Sequence, residues 1–397
     1  MTSVRHPRLP LRPGAHRRMK GGHPWVFSNE VAFDPAIKAL APGSVVTLTD
    51  AGGSVLGTAH FNPHTLIAAR LLVPAGDAAI DAGFFASRLG RAIDLRTRLF
   101  DRPFYRLIHA EADGLPGLIV DRFGDVCVVQ PNTAGMQSAL GQIGDALAAV
   151  VRPRAVVLRG DSPARALEGL PEQVALLSGT LDGPVTVEEN GARFRADVLS
   201  GQKTGWFFDQ RDNRAFMAAL SRGQTVLDLY SHTGGFAVAA ALAGAAQVLA
   251  VDRSQAALDL AAAAAADNGV AGRFAVARAE VYGHLEAAAA KGERWQVVIA
   301  DPPAFVKARK DLKAGLQGYR KLARLAAAVT APSGILFVAS CSHNAPVEEF
   351  TAAVARGVHE AGRTGRIVRS AGAAPDHPVH PMLPESAYLK AVVLALD

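Results

Sequence analysis

The chain has 397 residues, too many for one ordinary compact domain, and 49% hydrophobic against 20% charged residues excludes a disordered or fibrous protein. Lys and Arg (42) outnumber Asp and Glu (36), giving a formal charge of +6 that favours an anionic partner. Two cysteines, Cys127 and Cys341, exclude a disulfide framework and a cysteine-rich zinc site, and no metal centre is expected. No apolar run reaches the roughly 18 residues of a membrane helix, so no membrane partner is expected. The basic N-terminus has no apolar signal core behind it, so a cytoplasmic location is expected.

In chain order, the positive charge comes first. Residues 1–29 carry Arg5, Arg8, Arg12, Arg17, Arg18 and Lys20 and no acid. Such a cluster suits a phosphate backbone, although a solvated basic tail has the same composition. Residues 1–75 hold β-type runs at Ser44–Leu48 and Leu66–Leu72 between Gly and Pro turns, which predicts a β-rich module. After the break at Pro74-Ala75-Gly76-Asp77, residues 76–184 predict a mixed α+β module. Its elements are a helix over Ala82–Phe100, strands at Gly117–Asp121 and Val126–Gln130, a helix near Ala134–Val150 and a strand at Ala155–Arg159.

From Val185 the pattern becomes regular. A hairpin around Asn190-Gly191 is followed by apolar strands at Thr225–Leu229, Val248–Val251, Phe274–Ala277, Val297–Ala300 and Gly334–Ala339, with alanine-rich helices between them and a last strand at Tyr388–Leu396. Apolar strands alternating with helices predict a parallel sheet buried on both faces, so residues 185–397 read as a doubly wound, Rossmann-like α/β domain.

The first strand of that sheet runs into Asp228-Leu229-Tyr230-Ser231-His232-Thr233-Gly234-Gly235-Phe236. Paired glycines before a helix let backbone approach a ligand and present free N–H groups, although a plain turn also uses them. Asp252 closes the next strand, before Arg253, where a carboxylate reaches a ribose diol; its alternative is an N-cap for the helix beginning near Ser254. Asp228, Tyr230, Gly234, Gly235, Phe236, Asp252 and Arg253 are therefore candidate cofactor contacts, and His232 and Thr233 are left unassigned.

The fourth strand ends in Asp301-Pro302-Pro303-Ala304-Phe305, where two prolines stiffen a loop that holds Asp301 and Pro302 over the cleft. The fifth ends in Ser340-Cys341-Ser342-His343, which brings a thiol to the same crevice beside a histidine able to lower its pKa. Buried packing is the alternative for Cys341, and it is the expected role of Cys127.

These groups suit methylation of a pyrimidine carbon from S-adenosylmethionine. Cytosine C5 is too weak a nucleophile alone, but a thiolate added at C6 turns the ring into an enamine. Cys341 would be that thiolate, Asp301 would share a proton with the ring nitrogen N3, and His343 or a water would take the C5 proton. Three rivals stand beside this reading: N-methylation of guanine, for which Cys341 is incidental; uracil C5 methylation; and a non-catalytic RNA-binding ribosome-assembly factor.

The segments Gly22-His23-Pro24-Trp25-Val26-Phe27, Asp113-Gly114-Leu115-Pro116-Gly117-Leu118, Gly201-Gln202-Lys203-Thr204-Gly205, Asp209-Gln210-Arg211, the glycine loop, Asp301-Pro302-Pro303, Ser340-Cys341-Ser342 and Asp376-His377-Pro378 span nearly the whole chain. In these segments it resembles the RlmI-type cytosine-5 methyltransferases of large-subunit (23S) ribosomal RNA. The resemblance implies an N-terminal PUA domain (1–75) that contacts RNA through Arg17, Arg18, Lys20, His23 and Trp25. It also implies a central EEHEE-type module (76–184), a class I methyltransferase domain (185–397) and Cys341 as nucleophile.

By the same resemblance, Lys203, Thr204, Phe207, Asp209 and Gln210, with Arg211, close over the methionine end of the cofactor; a sharp connection pinned by Asp209–Arg211 pairing is the plainer reading, and the two are compatible. Glu280 stands where relatives more usually have Asp beside the adenine amino group, or else is a helix first-turn acid. Ala304 departs from the Lys or Ser of many relatives. Ribosomal RNA is the expected partner, and a homodimer is compatible with the sequence.

Overall fold

The computed structural model describes residues 6–397, so Arg5 of the basic segment lies outside the described residues. The chain divides into two compact units. One holds residues 6–183 together with Asp197–Gly205 and Asp376–Ser386; the other holds Pro184–Ala196, Trp206–Pro375 and Ala387–Asp397. No helix of the described residues is long and apolar enough to cross a membrane.

The first unit contains two five-stranded sheets. In the N-terminal one the strands lie in the order Arg8–Pro10, Ser44–Thr49, Val55–Phe61, Ile67–Pro74, Trp25–Phe27, over a core that includes Leu9, Val26, Val46, Leu48 and Phe61. The other runs Gln173–Gly179, Ala155–Gly160, Val126–Pro131, Leu118–Phe123, Phe104–His109. Its core includes Phe85 and Leu89 of the helix Ala82–Leu99, and Ile143 and Leu147 of the helix Leu140–Val150. Asp81 starts the first of these helices by accepting from the Phe84 N–H at 2.9 Å. The helix expected near Ala134–Val150 is broken at Ala139 into Ala134–Ser138 and Leu140–Val150. The strand Phe104–His109 was not expected, because Arg106 interrupts its apolar run. Its guanidinium is neutralised by Asp121 of the adjacent strand, at 2.7 and 2.9 Å.

The second unit is built on a seven-stranded sheet. Its strands are β1 (Thr225–Leu229), β2 (Gln247–Asp252), β3 (Phe274–Arg278), β4 (Trp295–Ala300), β5 (Thr330–Ser340), β6 (Gly365–Ala371) and β7 (Lys390–Leu396). They lie in the order β3-β2-β1-β4-β5-β7-β6. The main helices are α1 (Gly235–Leu242), α2 (Gln255–Asp267), α3 (Val281–Ala290), α4 (Leu312–Val329) and α5 (Val347–Glu360). Order reverses between β1 and β4, and the carboxyl ends on either side of such a switch leave a crevice for ligands. Register aligns those ends: Leu229 pairs with Val251 and Ala300, and Ala300 pairs with Val338.

Two features correct the expectation of a parallel sheet with one closing strand. β7 runs antiparallel to both β5 and β6, and β6 itself was not anticipated. At the sheet edge, Gly365–Ala371 is largely exposed and carries Arg366 and Arg369, so it lacks the apolar period of a buried strand. The last strand also starts at Lys390 rather than Tyr388.

Helices α4 and α5 pack closely at Gly357, where a Cβ would lie 2.3 Å from the Arg320 carbonyl oxygen and 2.9 Å from Ala323 Cβ. Helix propensity alone would reward Gly357→Ala by about 1 kcal/mol, whereas overpacking costs about 1–3 kcal/mol. The packing term is expected to win and lower the melting temperature of Gly357→Ala. A raised melting temperature would show that the helices part easily.

Candidate active site

The glycine loop is fixed from β1. Asp228 on that strand accepts from Ser231 Oγ (2.7 Å) and the Ala237 N–H (3.0 Å) through Oδ2, tying strand, loop and first turn of α1 together. Its Oδ1 is buried without a hydrogen-bond partner. Burial raises the Asp228 carboxyl to about 7; the donors Ser231 and Ala237 oppose this, and the charges of Asp301 and Asp252 add to it. Gly234 has φ +80°, and a Cβ there would lie 2.8 Å from Ala261 Cβ, so conformation and space both require glycine.

Asp252 ends β2 with its carboxylate spanning two segments. Oδ2 accepts from the His232 N–H (3.0 Å) and Oδ1 from the Ser254 N–H (2.9 Å). The N-cap of α2 is Ser254, which accepts from Ala257, so the capping alternative for Asp252 is set aside. Each carboxylate oxygen still has acceptor capacity. Glu280 is the N-cap residue of α3, but its exposed side chain makes no capping hydrogen bond. It lies close enough to Tyr230 that, after burial and Tyr282, its charge raises the Tyr230 hydroxyl, with Asp252 adding further. Two carboxylates therefore flank Tyr230 at the ends of β2 and β3. Arg253 is exposed, and its carbonyl accepts from Arg278. Phe236 turns inward: its ring packs 5.2 Å from Phe337, with the Arg214 guanidinium 5.8 Å away.

Beyond β4 the chain keeps pairing briefly, the Asp301 N–H reaching the Leu229 carbonyl at 3.4 Å. Asp301 is half-buried, Pro302 buried and Pro303 exposed. Beyond β5, half-buried Cys341 stands between two fully buried serines. Ser340 Oγ donates to the Tyr319 hydroxyl at 2.8 Å, and Ser342 Oγ shares a hydrogen bond with that hydroxyl at 2.8 Å. The loop after Pro303 is held by the same groups, with the Phe305 N–H on Tyr319 Oη (3.4 Å) and the Val306 N–H on Ser342 Oγ (3.1 Å). Lys390 Nζ donates to the carbonyls of Ser342 (2.5 Å) and Ala345 (2.8 Å). Tyr319 and Lys390 were not anticipated. Tyr319 reads as one more apolar position of α4, and the only trace of Lys390 is a charge at the edge of an apolar strand.

His343 is exposed and stacks on Tyr388, with ring centroids 5.0 Å apart. The Tyr388 hydroxyl donates to Asp209 Oδ2 at 2.5 Å. The segment around Asp209 is secured by the buried Glu189, which takes Arg214 at 2.5 Å, the Trp206 indole N–H at 3.2 Å and Arg211 at 3.6 Å. Arg214 also donates to the Phe207 carbonyl. The Phe207 ring meets His232 of the glycine loop edge-on at 5.1 Å, and Gln210 accepts from Asn213 at 2.6 Å. The structure thus brings Phe207 against the glycine loop, while Asp209 is held by Tyr388 and Gln210 by Asn213. Lys203 and Thr204 belong to the first unit, where Arg159 donates to the Val198 (3.0 Å) and Gly201 (2.7 Å) carbonyls of their loop.

The RNA candidates divide in two. Arg17 and Lys20 are exposed on a short helix, His16–Lys20. Arg18 donates to the Trp25 carbonyl (3.1 Å) and Glu30 (2.5 Å) and lies over the Phe27 ring. The Trp25 indole N–H is bound to Glu111 at 2.7 Å, and His23 Nδ1 accepts from the Trp25 N–H at 3.1 Å.

Because the folded state raises Asp228, it holds a proton that the unfolded chain has already lost between the ordinary carboxylate value of 3.8 and about 7. Stability from this group therefore falls as pH rises through that window, by about 1.4 kcal/mol per unit. Relative to wild type, Asp228→Asn is expected to gain roughly 2–3 kcal/mol between about pH 5 and about pH 7, read by urea unfolding. A flat or opposite trend would contradict the burial argument.

The donor set fits a nucleoside carrying a cationic tail: carboxylates at the ends of β2 and β3, and a buried carboxyl oxygen of Asp228 with no partner. Comparisons with known proteins agree. The model of the S-adenosylmethionine-dependent methyltransferase family matches residues 136–393, and that of a PUA-like domain matches residues 9–74. A ribosomal RNA large subunit methyltransferase I from Shewanella denitrificans is 36% identical over 391 residues, covering 97% of this chain and 98% of the relative. Its namesake from Pseudoalteromonas atlantica is 34% identical over 390 residues, with the same coverage. Among solved structures, a chain from Streptococcus mutans described as a SAM-dependent methyltransferase superposes with TM-score 0.81 at 22% identity, over 98% of this chain and 99% of its own. Another, described as a methyltransferase complexed with SAH, gives TM-score 0.82 at 21% identity over the same shares. This chain belongs to the ribosomal RNA large subunit methyltransferase I family, with a PUA-like domain and an S-adenosylmethionine-dependent methyltransferase domain.

Proposed function

We propose that this protein methylates large-subunit ribosomal RNA at cytosine C5, through a covalent bond between the Cys341 sulfur and C6 of the base. The observation that carries this reading is the contrast between the two thiols. Cys341 is half-exposed at the carboxyl end of β5, one strand from Asp301. Cys127 is 0% exposed in the first unit, and burial pushes its thiol up to about 12. A nucleophile must be reachable and ionisable, and Cys341 meets the first requirement where Cys127 meets neither.

S-adenosylmethionine supplies an electrophilic methyl group. Asp252 and Glu280 bind its ribose and adenine, and Asp228 turns a carboxyl oxygen to the methionine amine. Phe207, Asp209 and Gln210 would cover the methionine end. The Cys341 thiolate adds to C6, and the displaced ring electrons are held as N3 takes a proton from Asp301. C5, now enamine-like, would take the methyl as the methyl–sulfonium bond breaks, the bond's electron pair staying on sulfur and S-adenosylhomocysteine leaving. The C5 proton then leaves to His343 or a water, the electron pair restores the C5–C6 double bond, the Cys341 thiolate departs, and Asp301 recovers its proton from N3. RNA is gripped by residues 1–75, with 76–184 as a central module and 185–397 carrying the chemistry.

Cys341→Ala is expected to abolish methyl transfer while leaving S-adenosylmethionine binding intact by calorimetry. Mass spectrometry of digested product RNA is expected to find 5-methylcytidine; methylguanosine or 5-methyluridine would overturn the choice of base. Exposed Arg17 and Lys20 are expected to act through phosphates. The double Glu variant should weaken RNA binding regardless of sequence and lower the salt slope by roughly 1–2. An unchanged slope would remove them from the RNA surface.

A further inference from the structure

We propose that Lys390 is the charge partner of the Cys341 thiolate: from the start of β7 its buried ammonium anchors the turn after Cys341 and balances the sulfur's negative charge. This rests on Cys341 being the nucleophile, and it concerns how that thiol is ionised.

The placement follows from register. β7 is antiparallel to β5, with Lys390 directly opposite Ser340, the residue before Cys341. Lys390 Nζ reaches past that pair to the carbonyls of Ser342 and Ala345, so its cation lies against the backbone that presents the thiol. Two of the three ammonium hydrogens are used by these carbonyls, which leaves one uncommitted.

A buried lysine normally needs an anion, because removing its charge from water is costly. Lys390 is 7% exposed, yet among the described residues it forms no ion pair with an Asp or Glu. Cys341 is the charged group that acts on it: burial lowers the Lys390 pKa, and the charge of Cys341 raises it. Such coupling is reciprocal, so an ammonium favoured by the thiolate also favours the thiolate.

Three other polar or titratable side chains belong to the segments around the thiol. Tyr319, from α4, is raised first by burial and also by the charge of Cys341, so it stays a neutral phenol bonded to Ser340 and Ser342. Asp301 follows β4, the neighbouring strand, and is an acid, so it brings no positive charge. His343, two residues along, has its ring stacked on Tyr388, whose hydroxyl is bound to Asp209. A lysine that merely plugged two carbonyls would need no positive charge near sulfur, and a neutral donor would serve as well.

The test measures the thiol rather than turnover. Full-length protein is treated with iodoacetamide from about pH 5.5 to about pH 10, and alkylation of the Cys341 peptide is followed by mass spectrometry. Cys127 is an internal silent site, being buried and held near 12. The wild-type profile is expected to have its midpoint well below the ordinary thiol value of about 8.5. Lys390→Gln keeps a donor but no charge, and is expected to slow alkylation at neutral pH by about tenfold or more, with Lys390→Arg restoring most of the rate.

A wild-type midpoint at or above the ordinary value overturns the proposal without any variant, which covers the case in which Lys390 variants fail to fold. A folded Lys390→Gln protein with the wild-type profile overturns it as well. So does a profile that moves in His343→Ala and not in Lys390→Gln, because the acidity then comes from the imidazole. Failure of the nucleophile reading is separable, since it appears as methyl transfer surviving in Cys341→Ala whatever the alkylation profile.

Discussion

The hydroxyl of Tyr319 is the point on which the crevice depends. It is fully buried, and it is shared by Ser340 and Ser342, which flank Cys341, while the Phe305 N–H of the loop after Asp301-Pro302-Pro303 approaches it from another side. One hydroxyl from α4 thus sets the spacing between two segments that neither strand register nor the prolines could fix alone. Buried networks of this kind matter chiefly because leaving a member unpaired is costly, so the two loops are held to one arrangement.

Around that point the unit separates charge by depth. Acidic side chains gather at the ends of β2, β3 and β4, where Asp252, Glu280 and Asp301 are part-exposed or exposed, with Asp228 buried beneath the glycine loop. Buried cations accompany them: Arg214 on the buried Glu189, and Lys390 beneath the turn after Cys341. In the proposed mechanism the carboxylates would hold a sulfonium and an amine, and Lys390 would favour ionisation of the Cys341 sulfur.

The sequence made legible what local rules control. Apolar strands with helices between them located β1 to β5 within a few residues, and so placed Asp228, Asp252, Asp301 and Cys341 in or just after the carboxyl ends of β1, β2, β4 and β5. What escaped is what tertiary pairing supplies. Arg106 hid a strand because its partner Asp121 is fifteen residues away. Edge strand β6 carries no buried face to betray it. Tyr319 and Lys390 look like helix packing and strand flank until the fold sets them beside Cys341. Within the basic N-terminal segment, the pairing of Arg18 with Glu30, one residue beyond the acid-free stretch, is likewise a contact that composition does not reveal.

The central claim is a covalent Cys341–C6 bond, and RNA carrying 5-fluorocytidine tests it most directly, because a fluorine at C5 cannot leave as a proton does. After methyl transfer the elimination step is blocked and the adduct should persist. Mass spectrometry of the digested complex is expected to find the methylated fluoronucleotide attached to the peptide containing Cys341. Turnover of the same RNA to free methylated product, with an unmodified Cys341 peptide, would contradict the account.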